Sequence, residues 1–243
     1  MKVLAVDIGN TLVKTGLFDD DILQETSQFL RSSDAAPNGL NEYLTKSQIN
    51  KIVVCSVLET NTNRMEMFKL YAKTFLINHQ SKLPFTNTYK TPQTLGMDRV
   101  AGIAGALHFF SNTHCLVIDA GTCITYDFVS KEGIYQGGSI SPGLHMRLKA
   151  MHEFTGKLPL LTYQEIEDWI GKDTQTSMLT GVIWGMVNEI NGFIARYDEA
   201  FGDLKVIITG GDAPKLVKHL KNNVFAEPNL LLFGLNKILK INV

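Results

Sequence analysis

Two segments of this chain couple an apolar run to a carboxylate and a glycine. Asp7-Ile8-Gly9-Asn10-Thr11 follows Val3-Leu4-Ala5-Val6, and Asp119-Ala120-Gly121-Thr122 follows Leu116-Val117-Ile118. A second apolar run comes after each, from Val13 to Phe18 and from Ile124 to Val129. The pattern reads as strand, Asp-x-Gly turn, strand: a hairpin with a phosphate-sized gap at its tip. Glycine lets backbone approach an anion, turn N–H groups and the Thr hydroxyl donate to phosphate oxygens, and the Asp can hold a metal or its waters. Taken singly, the first motif is also a plain tight turn. Its repetition points to two similar lobes closing on one nucleotide. Lys14, three residues past Thr11, either reaches a phosphate or is a solvated strand lysine. Asp119 ends a buried strand, where an unpaired carboxylate is costly, so a cation facing it is expected.

Other short motifs carry chemistry beside a plainer reading. Gly96-Met97-Asp98-Arg99 precedes the apolar stretch Val100 to Phe110. Asp98 suits a helix N-cap; in a cleft it would instead take a proton from an alcohol, with the planar fork of Arg99 clamping a carboxylate. Gly137-Gly138-Ser139-Ile140-Ser141-Pro142-Gly143 is either a strand-to-helix connection or a backbone nest for a polar ligand. Gly210-Gly211-Asp212 follows a strand pattern and opens a helix, serving as a simple cap or as a surface for a flat base. Gly171-Lys172-Asp173-Thr174 reads as the N-terminal cap of a long helix. The six histidines are scattered without HExxH or a close pair, and neither GxxxxGK[ST] nor GxGxxG occurs.

The elements that must carry these groups follow from periodicity. Lys2 to Val6, Leu12 to Phe18 and Ile22 to Phe29 form an antiparallel meander. A short helix over Gly39 to Ser47, a strand over Lys51 to Val57, a helix over Asn63 to Thr74 and a strand over Phe75 to Asn78 come next. Ser81 to Gly96 is a loop, and Arg99 to Phe110 a buried helix. The second half repeats the order. Strands span His114 to Asp119, Thr122 to Ser130 and Gly133 to Gly138, followed by a helix over Gly143 to Phe154. Then come a short helix near Glu165 to Ile170, a long one over Met178 to Phe201, a strand over Lys205 to Thr209, and helices over Ala213 to Lys221 and Leu230 to Lys240. The long helix bears a stripe of Met178, Val182, Met186, Ile190, Ile194 and Tyr197, which is core or in part a subunit interface. An α/β fold with a duplicated core is expected, divided into residues 1–112 and 113–243.

Composition narrows the function classes. With 243 residues, 44% apolar and 19% charged, the chain can bury a sizeable core. A formal net charge of −1 without a basic run argues against nucleic-acid binding. No apolar run approaches the roughly 20 residues of a membrane span, and the first residues enter a strand pattern rather than a signal peptide. Cys55, Cys115 and Cys123 lack CxxC spacing and read as buried free thiols in a reducing cytoplasm, since a zinc site would need more ligands nearby.

Taken in order, the motifs resemble those of the type III pantothenate kinases, members of the actin/hexokinase/Hsp70 superfamily. DIGNTLVK (Asp7 to Lys14) matches the family's DxGNT motif, GMDR its GxDR motif with Met97 where Ala is usual, DAGTCITYD its DxGT motif with Cys123 in a slot usually small and apolar, and GGSISPG its GGxIxPG motif. The resemblance implies duplicated actin-like, ribonuclease H-like lobes, each a mixed sheet with helices, and a cleft between them. It implies that Asp7, Ile8, Gly9, Asn10, Thr11, Leu12, Val13 and Lys14 line the ATP phosphates and that Thr122 touches ATP. Asp98 would be the general base; Tyr89, Gly96, Met97, Asp98, Arg99 and Thr174 would contact pantothenate, with Thr174 supplied across a homodimer interface. Asp119 would bind a monovalent cation, K+ or NH4+, and Mg2+ would accompany ATP. The implied reaction is phosphorylation of pantothenate to 4′-phosphopantothenate, the first step toward coenzyme A, with no nucleic acid or membrane as partner. Two other functions stay open on the residues alone: a kinase for another small alcohol, and a non-catalytic nucleotide-binding regulator of the same fold.

Overall fold

The computed structural model describes residues 1–31, 44–45, 49–56, 62–221 and 223–243. The helix expected over Gly39 to Ser47, apart from the helical residues 44–45, and the end of the strand at Val57 lie outside them. Two compact units divide the chain. Met1–Asn112, Ser130–Gln136 and Asn229–Val243 form the first, and Thr113–Val129 and Gly137–Pro228 the second.

The first unit is built on β1 (Lys2–Ile8), β2 (Leu12–Asp19), β3 (Ile22–Leu30), β4 (Lys51–Ser56) and β5 (Lys73–Leu76), in sheet order β3-β2-β1-β4-β5. The first three are an antiparallel meander, whereas β4 and β5 run parallel to β1. Residues 3–8 of β1 are all buried, the continuous apolar run of a central strand covered on both faces. Leu4, Val6 and Ile8 pack with Ile52, Val54 and Phe68 of helix α1 (Thr62–Lys69). After the two-residue strand β6 (Thr86–Asn87) and a 3-10 turn at Pro92–Thr94 comes α2 (Met97–Phe109).

The second sheet repeats this order. β7 (His114–Ala120), β8 (Cys123–Val129), β9 (Ile134–Pro142), β10 (Leu204–Thr209) and β11 (Phe225–Ala226) lie as β9-β8-β7-β10-β11, the same permutation as in the first sheet, and β6 adds at the β9 edge. β7 and β8 are antiparallel, while β10 runs parallel to β7. The helices are α3 (Leu144–Glu153), α4 (Thr174–Phe201), α5 (Ala213–Val217) and α6 (Leu230–Asn242). Met178, Val182, Met186, Ile190 and Ile194 of α4 sit in the core beside Leu116, Ile118 and Ile124, and Tyr197 packs at its margin. Asp173 caps α4: its carboxylate accepts the Thr176 N–H at 2.8 Å, and the Thr176 hydroxyl accepts the Asp173 N–H at 3.1 Å. α6 returns to the first unit and packs on α2, β1 and β4.

Several sequence expectations are corrected. Glu165 to Ile170 is not helical; Glu165 pairs with Lys218, just past the end of α5, and the preceding Tyr163 lies under the Lys215 ammonium of α5, 4.9 Å from the ring centroid. α5 stops at Val217 rather than Lys221, and β5 begins at Lys73 rather than Phe75. The loop from Ser81 to Gly96 contains β6, which is held by Thr86↔Ile134 and Asn87↔Tyr135 pairing. A two-residue strand has no periodicity to read; only its distant partner defines it.

Candidate active site

The first turn rises from β1 and β2, whose register sets Asp7 opposite Lys14 and Ile8 opposite Val13. Gly9 N–H donates to the Leu12 carbonyl at 3.0 Å and closes the tip. Ile8 and Val13 point into the core, at 3% and 1% exposed, so at these positions only backbone groups are offered to a ligand. Asn10 and Thr11 are exposed at the tip, whereas Asp7 is 9% exposed. Parallel pairing sets Asp7 beside Cys55 of β4. Burial pushes the Cys55 thiol well above its ordinary range, and the negative charges of Asp7 and Asp98 push it further the same way. Two carboxylates 91 positions apart in sequence (98 minus 7) therefore bear on one buried thiol within the first unit.

Asp98 lies in the first turn of α2, and Gly96 takes the N-cap place that the sequence suggested for Asp98. Its Oδ1 accepts the Arg99 N–H at 2.8 Å. That oxygen occupies the space where a Cβ on residue 96 would be, so the glycine leaves room for the carboxylate. A carboxylate at a helix start is favoured by the free N–H groups there. Met97 is half-buried, and Arg99 is 8% exposed. Tyr89 is brought to this group: the Arg99 guanidinium lies 5.7 Å from its ring centroid, a cation–π distance. Its ring also stacks on Tyr135, with centroids 6.2 Å apart and 23° between planes. Tyr135 is 1% exposed, and its carbonyl accepts both the Thr88 hydroxyl at 2.7 Å and the Thr88 N–H at 3.1 Å. A buried ring thus supports a loop-borne one. The sequence reading missed Tyr135, because nothing in IYQ marks it apart from any strand tyrosine.

In the second unit three separate motifs converge. Gly121 N–H donates to the Cys123 carbonyl at 2.9 Å, closing a turn one residue shorter than the first. Asp119 is half-buried and stands opposite Thr125 in register, the place Lys14 holds opposite Asp7. Gly143 N–H donates to the Thr122 carbonyl at 3.1 Å, and no Cβ could fit at residue 143 against the Gly121 and Thr122 carbonyls. Gly210, at φ 95°, lies so close to the Ala120 carbonyl and Asp119 Oδ1 that a side chain there would collide with both. Asp212 N–H donates to the Ala120 carbonyl at 2.9 Å, and its carboxylate pairs with Lys215. GGSISPG and Gly210-Gly211-Asp212 are therefore seated on the Asp119–Thr122 turn. Thr122 is exposed, and Thr174 is exposed at the first position of α4.

Among the described residues no three His, Cys, Asp or Glu side chains gather as a metal cage. Magnesium held through nucleotide phosphates, water and one carboxylate needs no such cage. The donors at the Asp119 turn are one carboxylate and backbone carbonyls, an oxygen set suited to a hard monovalent cation.

A family model described as type III pantothenate kinase matches residues 3–196. Type III pantothenate kinases of Christiangramia forsetii and Bacteroides fragilis are 42% and 41% identical over 239 and 244 residues, covering 98% of this chain and 98% of each relative. Among solved structures, a Campylobacter jejuni protein assigned to the Baf family of transcriptional activators aligns with TM-score 0.63 at 23% identity, covering 98% of both chains. A Listeria monocytogenes protein assigned as an N-acetylmannosamine kinase aligns with TM-score 0.61 at 14% identity over the full length of both. These two likenesses bear on the fold, which is the duplicated α/β arrangement of actin-like lobes, each a mixed sheet with helices.

Proposed function

The chain belongs to the type III pantothenate kinase family, and from that premise we propose that it transfers the γ-phosphoryl group of ATP to the primary hydroxyl of pantothenate, giving 4′-phosphopantothenate and ADP in the first step toward coenzyme A. The observation that carries the reading is the grouping of Asp98, Arg99 and Tyr89 at the start of α2, in the same folded unit as the Asp7–Lys14 turn. The turn proposed for phosphate and the proposed base then belong to one folded unit.

Phosphoryl transfer asks for positioning and charge stabilisation more than for covalent help. In this reading the backbone of Asp7 to Lys14 and the Lys14 ammonium receive the triphosphate. Asp98 takes the hydroxyl proton as the new O–P bond forms and the bond from the γ-phosphorus to ADP breaks. Arg99 pairs with the pantothenate carboxylate, and Tyr89 packs beside the substrate together with Gly96 and Met97. Thr122 would touch ATP, Asp119 with neighbouring carbonyls would hold K+ or NH4+, and Mg2+ would accompany the nucleotide. Thr174 would act on the substrate of a second copy in a homodimer working in the cytoplasm, and residues 1–112 and 113–243 would be the two lobes. No helix among the described residues is long and apolar enough to cross a membrane.

The test is turnover of pantothenate with ATP, Mg2+ and K+, run beside a panel of small alcohols and sugars. Phosphopantothenate is the product expected. Phosphorylation of a different alcohol, or nucleotide binding without turnover, would reject the assignment. Asp98→Asn should lose about 10²–10⁴-fold in kcat while keeping its nucleotide affinity, the usual contribution of a general base. Turnover close to that of the unmodified enzyme would remove Asp98 from the base role.

A further inference from the structure

One polar network in the second unit touches none of the candidate site residues directly, yet it ends on the segment that seats the Asp119–Thr122 turn. Glu189 lies midway along α4, with its side chain 25% exposed, and Arg147 of α3 is 21% exposed. Arg147 Nη2 donates to Glu189 Oε2 at 2.6 Å and to Ser141 Oγ at 2.7 Å, and Nε donates to the Pro142 carbonyl at 2.7 Å. Tyr126, in the middle of β8 and fully buried, donates its hydroxyl to Glu189 Oε1 at 2.8 Å. Burial pushes the Glu189 carboxyl up, but hydrogen bonds from Arg147, Tyr126 and Ser141 outweigh it and hold the group below the usual carboxylate range. Glu189 therefore stays ionised and pairs with an arginine whose planar fork grips the last residues of β9.

The chain leads from that grip straight to the site. Pro142 is followed by Gly143, which donates to Thr122 and lies against the Gly121 and Thr122 carbonyls with no space for a side chain. In the middle of β9, Gly138 lies against the Tyr126 carbonyl just as closely. Ser139–Gly143 is thus held from one side by the Asp119–Thr122 turn and from the other by the guanidinium. A displacement at Pro142 reaches Thr122 through a contact that has no slack. We propose that Arg147 and Glu189 are positioning residues for the kinase: by fixing Ser141 and Pro142 they set the Asp119–Thr122 turn at the distance the nucleotide requires.

This inference rests on the assignment of Thr122 and Asp119 to nucleotide and cation, so its test separates the two. The probes are a non-hydrolysable ATP analogue, titrated directly, and steady-state kinetics in both substrates. Arg147→Lys keeps a charge beside Glu189 but loses the fork, and Glu189→Gln keeps an acceptor for Tyr126 but loses the ion pair. Both should weaken analogue binding and raise KM for ATP by about tenfold, the scale seen when groups that orient a ligand-holding residue are removed, while KM for pantothenate stays within about twofold. Asp21→Asn is the control: it breaks the Asp21–Lys240 ion pair (2.6 Å) in the first unit and should leave ATP affinity unchanged. If Glu189→Gln does not fold, Ser141→Ala decides, with the same shift in ATP affinity expected. Analogue affinity within twofold of the unmodified enzyme in folded Arg147→Lys, or an equal loss in Asp21→Asn, overturns the proposal. An enzyme that binds the analogue but leaves pantothenate unphosphorylated ends the substrate assignment alone, and the network is still judged on analogue binding.

Discussion

Gly96 shows how much of this site turns on one missing side chain. Its backbone, at φ −60° and ψ 134°, suits any residue, so the glycine is there for space rather than for conformation. A methyl group at 96 would meet Asp98 Oδ1, the far end of a mobile side chain. The side chain would move and the helix would not. Gly96→Ala should therefore cost at most about 1 kcal/mol of stability, as at other N-caps, yet lower kcat by roughly tenfold or more, because displacing a reacting group by about 1 Å costs up to about 10²-fold. Thermal unfolding and kcat measured on the same preparation check both halves. Undiminished kcat would mean that the position of this carboxylate does not matter to the reaction. Asp98 and Arg99 were legible in the sequence as chemistry-bearing types; the reason for a glycine two residues earlier became visible only when the carboxylate had a direction.

At the scale of elements, the α2–α6 pair shows the reverse case, a glycine that serves packing. Gly234 of α6 lies against the Ala101 carbonyl of α2, and Gly105 of α2 lies against the Leu230 carbonyl of α6. Both neighbours are backbone, which cannot swing aside. Gly234→Ala forces the helices apart and should destabilise the first unit by about 1–3 kcal/mol, the usual cost of overfilling a core. A fall in the thermal midpoint, with ATP-analogue affinity kept at temperatures where the variant is folded, is the result expected; an unchanged midpoint would show that the helices separate freely. Periodicity in the sequence locates both helices. It does not say that the last one packs on a helix some 130 positions earlier, because glycines in an apolar helix read only as weak helix formers.

The molecule as a whole carries buried thiols on both sides of its unit boundary. Cys115 is pushed from the ordinary thiol value near 9 to about 12 by burial, and Cys55 is raised as well. A raised pKa means the folded state holds the proton more tightly than the unfolded chain. The stabilisation is complete below the unfolded thiol value and is lost as pH rises from there toward the folded value. The thermal midpoint should then fall as pH climbs from about 8.5, and Cys115→Ala should flatten that slope even if it lowers the midpoint at neutral pH. Parallel slopes in the two proteins would show that Cys115 titrates in the folded state as it does unfolded. Sequence alone read these thiols as free, and they are; how strongly each resists ionisation depends on strands brought alongside from elsewhere in the chain.

Much of this protein is decided locally and can be read from its residues. An apolar run ending in Asp-x-Gly makes a hairpin whatever surrounds it, and two such hairpins, each leading to parallel strands and helices, give a duplicated sheet. The shared order β3-β2-β1-β4-β5 and β9-β8-β7-β10-β11 is that repetition expressed in three dimensions. What the chain decides only by folding is contact between distant residues: β6 beside β9, Tyr135 beneath Tyr89, Gly210 on Asp119, Glu189 behind Ser141. Hydrophobic period and turn chemistry act over a few residues and leave a signal in the sequence. A hydrogen bond or ring stack between residues tens of positions apart leaves none, because its energy depends on a distance that does not exist until the sheets have formed.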